Sequence, residues 1–368
     1  MRSLRKDFFQ KKKKNLFGIG FLDKGEIVLE KKGRLIWVDQ LKAIGMFFVI
    51  WGHSIQRCNT KIVLRAIYSF HMPFFFILSG LTMNPYKYDR IIDFIRAKAK
   101  AILYPYVIMS FVLLPLWYFN RGLGVVQDDS ILRIIVGIFY SNSAEIRATS
   151  NAAWFMVTLY FAELIFYLLF HYVKDDQQKL LASFSLALLG VISSMGSEYH
   201  LAPFHLAVAF VAQFYVCCGY FIRQHLSYIM KMIQTPGKFM GVLILLGVSG
   251  FFAMINKTVD FSNEHYANFL YTLISSFGIT LSLIYIVQYL PHISILSYIG
   301  KNTMIYLMVH VPILRTVQYY FPIVEHSRLY ASITAIFLYI GILFICIIIN
   351  KFFPFFTKYP ERKKKKVC

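Results

Sequence analysis

The stretch that decides the fold of this chain is RLIWVDQLKAIGMFFVIWGH, residues 34–53. It is apolar and has about the 20 residues that a helix needs to cross a membrane. It nevertheless carries Asp39 and Lys42 and ends on His53. A charged side chain near the centre of a bilayer costs about 2.5–3.5 kcal/mol on an insertion scale. We therefore expect these side chains to face a protein interior and to mark a functional site.

The spacing of these residues predicts one polar helix face. Lys42 and His53 lie 11 residues apart, which is close to three turns of a helix with about 3.6 residues per turn. Asp39, three residues before Lys42, shares their face. A helix that served only as an anchor would not need such a stripe.

The composition places the whole chain among integral membrane proteins. Of its 368 residues, 58% are hydrophobic and 15% are charged, whereas about 25% of residues in soluble domains are charged. Apolar windows predict an all-α fold, a polytopic integral membrane protein with about ten transmembrane helices. The predicted spans lie near residues 35–55, 62–84, 101–119, 152–173, 180–196, 205–222, 239–256, 267–290, 303–320 and 330–350.

The formal net charge of +21 does not indicate nucleic-acid binding, because of where the charge lies. Basic residues concentrate before the first span, in the loop after the second span and in the tail run Lys363–Lys366. This is the positive-inside pattern, which predicts that both termini are cytoplasmic and contact membrane lipids. We expect a basic cytoplasmic segment 1–33, a transmembrane domain 34–353 and a basic cytoplasmic tail 354–368.

The cysteines do not have the spacing of metal ligands. Most of them lie in apolar stretches, where a cysteine packs as a small apolar side chain. We expect neither a disulfide framework nor a metal site. The five cysteines are Cys58, Cys217, Cys218, Cys346 and Cys368.

The second span, which contains YSFHMPFFFILSG, adds a buried His71 to the polar groups of the first span. His71 lies about nine residues deep, at a level similar to that of Lys42, so the two side chains are expected to share one cavity. Taken alone, His71 is equally consistent with a packing role and a catalytic role. Ser79 and Gly80 predict a close approach to a neighbouring helix.

Five runs of sequence carry a resemblance to a known family. From about residue 34 to 350 they are WVDQLKAIGMFFVIWGHS, FHMPFFFILSG, a basic stretch ending in LYPY, AAWFMVTLY and YIGKNTMIYLMVH. Their order resembles membrane acyltransferase family three, in particular its branch of fucose-4-O-acetylase-like sugar acetyltransferases. The hallmark of the family is a basic residue, often Arg, followed by ten residues and a His. Lys42 and His53 occupy these positions, and the Lys lacks the planar fork of an Arg.

The resemblance implies a membrane O-acyltransferase. It would move acetyl from cytoplasmic acetyl-CoA to a sugar hydroxyl of a cell-surface polysaccharide or its lipid-linked precursor. Residues 34–353 would form the acyltransferase domain of a multi-pass protein in a bacterial cell membrane, with other glycan-biosynthesis proteins as partners.

The basic inner loop is the candidate site for the phosphates of CoA, because clustered cations attract phosphate groups. The positive-inside rule explains each single residue equally well. The candidate residues of this loop are Arg90, Arg96, Lys98 and Lys100.

The chemistry that the resemblance implies gives roles to four residues. His53 is the candidate base, because an imidazole with a pKa of about 6.5 can accept and return a proton near neutral pH. Lys42 is the candidate for stabilising the oxyanion or holding the acyl end of CoA. Asp39 is expected to pair with Lys42, and His71 is an alternative base or second donor. Direct transfer and an acyl-histidine relay both remain open.

Four further residues are candidates for substrate binding. Trp154 begins the fourth span at the interface, where aromatic residues occur anyway, and a sugar ring is the alternative partner. Glu163 lies in the middle of a span, where a carboxylate is costly. Tyr306 and His310 are four residues apart and share a helix face, and packing and substrate contact are equally open for both. His205, near an outer loop, is expected to be solvated.

A proton-coupled transporter or flippase of glycan intermediates is the alternative function. Multiple spans with buried Asp, Lys, His and Glu are also typical of such proteins. The sequence has neither similar halves nor paired broken helices. The spacing from Lys42 to His53, followed by FHMPFFFILSG, favours the acyltransferase.

Overall fold

The computed structural model describes residues 35–141, 149–195, 203–233 and 238–360. The predicted basic segment 1–33 lies outside these residues, as does the greater part of the predicted tail.

The described chain is helical, which confirms the all-α prediction. Its only β-pairing within these ranges is an isolated bridge between Asp260 and His265. In chain order the helices are α1 (Ile36–Ile55), α2 (Lys61–Thr82), α3 (Ile91–Lys98), α4 (Tyr104–Val112), α5 (Leu114–Gly122), α6 (Ile131–Tyr140), α7 (Trp154–Tyr172), α8 (Asp176–Met195), α9 (Leu206–Ile233), α10 (Lys238–Ile255), α11 (Phe269–Gln288), α12 (Ser294–Lys301), α13 (Thr303–Tyr320), α14 (Ile323–His326) and α15 (Arg328–Phe352).

Six helical segments of the described chain are long and apolar enough to cross a membrane. A bent pair, Ile91–Val112 and Leu114–Gly122, meets at 43° and would be the seventh span. The six segments are Lys61–Thr82, Asn151–Tyr172, Asp176–Met195, Pro203–Leu226, Phe269–Gln288 and Arg328–Phe352.

The predicted number of about ten spans is therefore not confirmed, although α1, α10 and α13 are helices at predicted positions. α10 is apolar but short. α1 and α13 carry charged and polar side chains, which lower their hydropathy. Both are packed inside the bundle, where such side chains do not meet lipid.

The bundle is organised around two central helices. α1 packs on α2, α12, α13 and α15, whereas α9 packs on α2, α7 and α8. α8 and α15 lie at the rim, where only 28% of their most apolar stretch is buried. Such exposed apolar faces are expected where a helix meets lipid tails.

α2 connects the two groups through a close crossing with α9. A Cβ added to Gly80 of α2 would collide with the backbone of α9 at Val216, and one added to Gly219 of α9 would collide with α2 at Ile77. The prediction that Gly80 allows close helix approach is confirmed. The crossing fixes α2, and with it His71, against the rest of the bundle.

The bundle has two ends. We call the end where α1 ends and α2 begins the Arg57 end, and the end where α2 ends and α3 begins the Lys98 end. The charge pattern of the sequence predicts that the Lys98 end is cytoplasmic.

We predict that Gly219→Val destabilises the protein, because the new side chain would push α9 away from α2. Overpacking of this kind costs about 1–3 kcal/mol. Thermal unfolding in detergent should show a lower melting temperature. Gly341→Val on α15 is the matched control, since open space surrounds that position. Equal melting temperatures for the two variants would contradict the close crossing.

Candidate functional site

Three histidines from three helices meet in the interior. The ring of His53 on α1 lies 5.2 Å from that of His310 on α13 and 6.1 Å from that of Tyr68 on α2. The Tyr68 ring lies 4.8 Å from the ring of His71. We call these four residues the histidine cluster. The helices α1 and α2 therefore meet around Tyr68, and α13 adds a third histidine.

Two of the three rings are held in a defined tautomer. Nδ1 of His71 lies 2.9 Å from the carbonyl oxygen of Ile67, and Nδ1 of His310 lies 2.8 Å from that of Tyr306. A carbonyl oxygen only accepts, so each Nδ1 must carry the hydrogen. In the neutral ring Nε2 is then the basic nitrogen. Nε2 of His310 is buried and has no hydrogen-bond partner within the described chain.

Tyr68 is a functional candidate that the sequence analysis missed. Its hydroxyl is buried and has no hydrogen-bond partner among the residues described. A buried hydroxyl without a partner costs about 1–3 kcal/mol. Tyr68 lies three residues before His71 on the same face of α2, and this spacing is the signal that would have found it. The cluster thus contains a buried donor, the hydroxyl of Tyr68, and a buried acceptor, Nε2 of His310, that are not used within the described chain.

Two charges act on the cluster from outside the predicted motifs. The carboxylate of Asp260 and the guanidinium of Arg315 both interact electrostatically with His53 and Tyr68. Asp260 belongs to the loop between α10 and α11, where Ser262 and Asn263 donate hydrogen bonds to it at 2.6 and 2.7 Å. Neither residue belongs to a family-like run, so only the fold reveals their proximity.

Lys42 and Asp39 lie on the same continuous helix as His53. Asp39 is buried and Lys42 is half-buried. With a rise of about 1.5 Å per residue, Lys42 lies about 16 Å from His53 along α1, toward the Lys98 end. The pairing of Asp39 with Lys42 and the common cavity of Lys42 with His71 stay predictions.

Glu163 and Lys98, predicted for different roles, bind each other. Nζ of Lys98 lies 2.8 Å from Oε2 of Glu163, and the hydroxyl of Ser79 donates to Oε1 at 2.6 Å. These contacts compensate the burial of the carboxylate and join the helices α2, α3 and α7. The geometry favours a structural role for both residues.

The other basic residues of the predicted CoA-binding loop have separate surroundings. Arg90 pairs with Asp93 at 2.7 Å, and Lys100 lies 4.5 Å from the centre of the Tyr359 ring. Arg96 is exposed on α3. Their contact with CoA stays a prediction.

Trp154 and Tyr306 make packing contacts. The indole of Trp154 lies 5.5 Å from the ring of His205, and the hydroxyl of Tyr306 donates to the carbonyl oxygen of Tyr339 at 3.0 Å. Their predicted substrate contacts stay predictions. The expectation that His205 is solvated was wrong: it is 1% exposed, because the turn Pro203–His205 places it against Trp154.

A cavity of about 450 Å³ opens at the Arg57 end. It lies next to the histidine cluster, because the turn of α13 that follows His310 forms one wall. The residues that line it are Arg57, Trp117, Asn120, Gly124, Val125, Val126, Gln127, Asp129, Ile134, Thr149, Asn151, Val311, Pro312 and Arg315.

Three neighbouring histidines suggest a metal site as another use of the cluster. Within the described residues, however, no group of three or more His, Cys, Asp or Glu side chains is arranged to hold a metal ion.

Comparison with known proteins gives one match. The model of one protein family, described as an acyltransferase domain, matches residues 35–351. No curated protein and no solved structure matches the chain.

We predict that Glu163→Gln lowers stability and leaves the chemistry intact. The amide oxygen still accepts from Ser79, but the partly buried Lys98 loses its counter-charge, which costs about 1–3 kcal/mol. Thermal unfolding and acyl transfer should both be measured. Asp93→Asn, which removes an exposed pair, is the control and should leave the melting temperature unchanged. An unchanged melting temperature together with a raised KM for acyl-CoA would instead assign the Lys98–Glu163 pair to donor binding.

Proposed function

Because the chain belongs to membrane acyltransferase family three, whose acyltransferase-domain model matches residues 35–351, we propose that it is a membrane O-acetyltransferase. In this proposal the donor is acetyl-CoA, which enters from the cytoplasm. The acceptor is a sugar hydroxyl of a cell-surface polysaccharide or of its lipid-linked precursor. The protein would act in a bacterial cell membrane beside other proteins of glycan biosynthesis.

The observation that carries the proposal is the histidine cluster. Transfer of an acyl group to a hydroxyl requires a base for the hydroxyl proton and a donor for the oxyanion that forms on the thioester carbonyl. The cluster supplies imidazole nitrogens and the hydroxyl of Tyr68 in one enclosed place. Enclosure matters because electrostatic and hydrogen-bond interactions are stronger where water is excluded.

We assign the role of base to His53. It is the ring at the centre of the cluster and is only partly buried, whereas His71 and His310 are buried. His310 is the positioning residue: its Nε2, which has no hydrogen-bond partner among the described residues, can accept the single N–H of a neutral His53, which leaves the other nitrogen of His53 basic. The guanidinium of Arg315 opposes the imidazolium that forms when His53 takes up a proton, and the carboxylate of Asp260 favours it.

In this proposal the transfer proceeds in two steps. The acceptor hydroxyl gives its proton to His53 while its oxygen forms a bond to the thioester carbonyl carbon, and Tyr68 donates a hydrogen bond to the resulting oxyanion. The carbon–sulfur bond then breaks and the proton moves from His53 to the departing sulfur. The products are the acetyl ester and free CoA.

The donor and the acceptor would approach from opposite ends. The exposed basic residues of the inner loop, Arg90, Arg96 and Lys100, lie at the Lys98 end, where the phosphates of CoA would bind. Lys42 lies between that end and the cluster, about 16 Å from His53 along α1, so it would contact the CoA part of the donor while the thioester carbonyl lies at Tyr68 and His53. The cavity at the Arg57 end is open to an acceptor.

We predict that His53→Ala lowers acetyl transfer by at least 100-fold, because general-base catalysis contributes about 10²–10⁴-fold. The measurement is thiol release from acetyl-CoA by protein in lipid nanodiscs, with and without a surface-glycan fraction. His326→Ala, at an exposed histidine of α14, is the control. Substantial transfer by folded His53→Ala would remove His53 from the base role. Absence of thiol release from the wild-type protein with every donor and acceptor would favour the transporter.

We predict that Tyr68→Phe lowers kcat by about 10²–10³-fold, the effect of losing one oxyanion donor. The melting temperature should not fall, because the lost hydroxyl has no partner among the described residues. Tyr106→Phe is the matched control with the opposite expectation. The hydroxyl of Tyr106 donates to the carbonyl oxygen of Ile138 at 2.7 Å, so that variant should lose stability and keep kcat. A wild-type kcat in Tyr68→Phe would exclude the oxyanion role.

A further inference from the structure

We propose that residues 353–359, which follow the last helix α15, are part of the donor site and bind the nucleotide part of acetyl-CoA together with Lys100. We call these residues the C-terminal strap. The inference rests on the proposed acetyl transfer and adds to the donor site a segment that lies far from the basic inner loop in the sequence.

The strap lies against the start of α4. The hydroxyl of Tyr104 donates to the carbonyl oxygen of Phe355 at 3.0 Å, a bond between residues 251 positions apart in the chain. The ring of Tyr104 also lies 5.1 Å from the ring of Tyr359. The turn Pro354–Phe356 directly follows the end of α15 and turns the chain toward α4. The strap is therefore held beside the helix that continues the inner loop.

The inner loop meets the strap at a local irregularity. Between α3 and α4, Ala99–Leu103 form a turn of π-helix, and such turns are rare and occur frequently at functional sites. Lys100 lies within this turn, and its Nζ lies 4.5 Å from the centre of the Tyr359 ring. An aromatic face attracts an ammonium group. Tyr359 of the strap thus sets the position of a lysine that is a candidate for phosphate binding.

The resulting surface combines the two kinds of group that recognise a nucleotide. Lys100 and Lys358 are exposed, and their ammonium groups are suited to phosphate oxygens. Phe355 and Tyr359 are 50% and 43% exposed, and an aromatic ring is a surface on which a base can stack. The nucleotide part of CoA presents an adenine base and phosphate groups at one end of the molecule, which matches this combination.

The charge of the two segments favours an anionic ligand. Residues 85–104 contain five basic side chains and two carboxylates, whereas residues 351–368 contain seven basic side chains and one carboxylate, Glu361. Within the described part, Asp93 pairs with Arg90 and Lys98 pairs with Glu163. Contact between two segments that are both rich in cations raises the local concentration of anions. A lipid headgroup could supply the same phosphate chemistry, and the experiment separates the two sources.

The test measures how much of the donor affinity comes from the nucleotide part. Binding of CoA and of pantetheine, which lacks the nucleotide, is measured by titration calorimetry on the full chain in phosphatidylcholine nanodiscs. We expect the wild-type protein to bind CoA at least tenfold more tightly than pantetheine. Added salt should weaken the binding of CoA more than that of pantetheine, because salt screens exposed charges.

Lys100→Gln and Tyr359→Leu should each reduce this preference for CoA at least fivefold and raise KM for acetyl-CoA, with kcat within twofold of the wild-type value. Lys100→Arg should keep most of the preference, because it retains the charge, and a purely structural loss would not be rescued in this way. Lys174→Gln and Tyr172→Leu are the matched controls, at exposed positions at the end of α7 and just after it. They should keep the full preference.

An undiminished preference for CoA in folded Lys100→Gln and Tyr359→Leu would overturn the inference. Acetyl ester formation by these variants with an unchanged KM would overturn it and leave the proposed function in place. A difference from the wild-type protein that appears only in nanodiscs containing phosphatidylglycerol would assign the surface to lipid headgroups and also overturn the inference. Strap-dependent CoA binding without any acetyl ester would leave the strap site standing and overturn the proposed function.

Discussion

Two hydrogen bonds within helices determine what the interior of this protein can do. Nδ1 of His71 and Nδ1 of His310 each donate to the carbonyl oxygen one turn earlier. A histidine in an apolar bundle needs a partner, because an unsatisfied buried polar group is costly. Here the partner is the backbone of the same helix, so one nitrogen of each ring is satisfied, and Nε2 of His310 has no partner among the described residues. The two rings are held in a defined orientation, and His53 and Tyr68 lie between them.

The polar groups of the two ends serve different purposes. At the Lys98 end, Lys98, Glu163 and Ser79 satisfy one another and join three helices. At the Arg57 end, charges line a cavity and act on the histidine cluster. This distinction follows from partners and not from residue type, because both ends contain basic and carboxylate side chains.

The sequence supported much of the fold and part of the site. Hydropathy was sufficient for an all-helical membrane protein, and the five family-like runs were sufficient for the acyltransferase family. His53, His71 and His310 were all recognised as candidates, because a histidine in a membrane-spanning helix is unusual enough to be noticed. Hydropathy did not give the number of spans. The polar side chains of α1 and α13 that contribute to the site lower the mean hydropathy of these two helices, so hydropathy alone does not identify them as spans.

The sequence by itself determined the class of fold, the family and the separate polar positions along each helix, because these depend on composition and on the periodicity of a helix. Only the tertiary structure decided which positions meet. Tyr68, Asp260 and Arg315 act with histidines that lie far from them along the chain, and Glu163 pairs with Lys98. The physical reason is that hydrogen bonds and ion pairs act over a few ångströms of space. Helix crossings, such as that of Gly80 with α9, bring residues within that range, and these crossings are properties of the packed bundle.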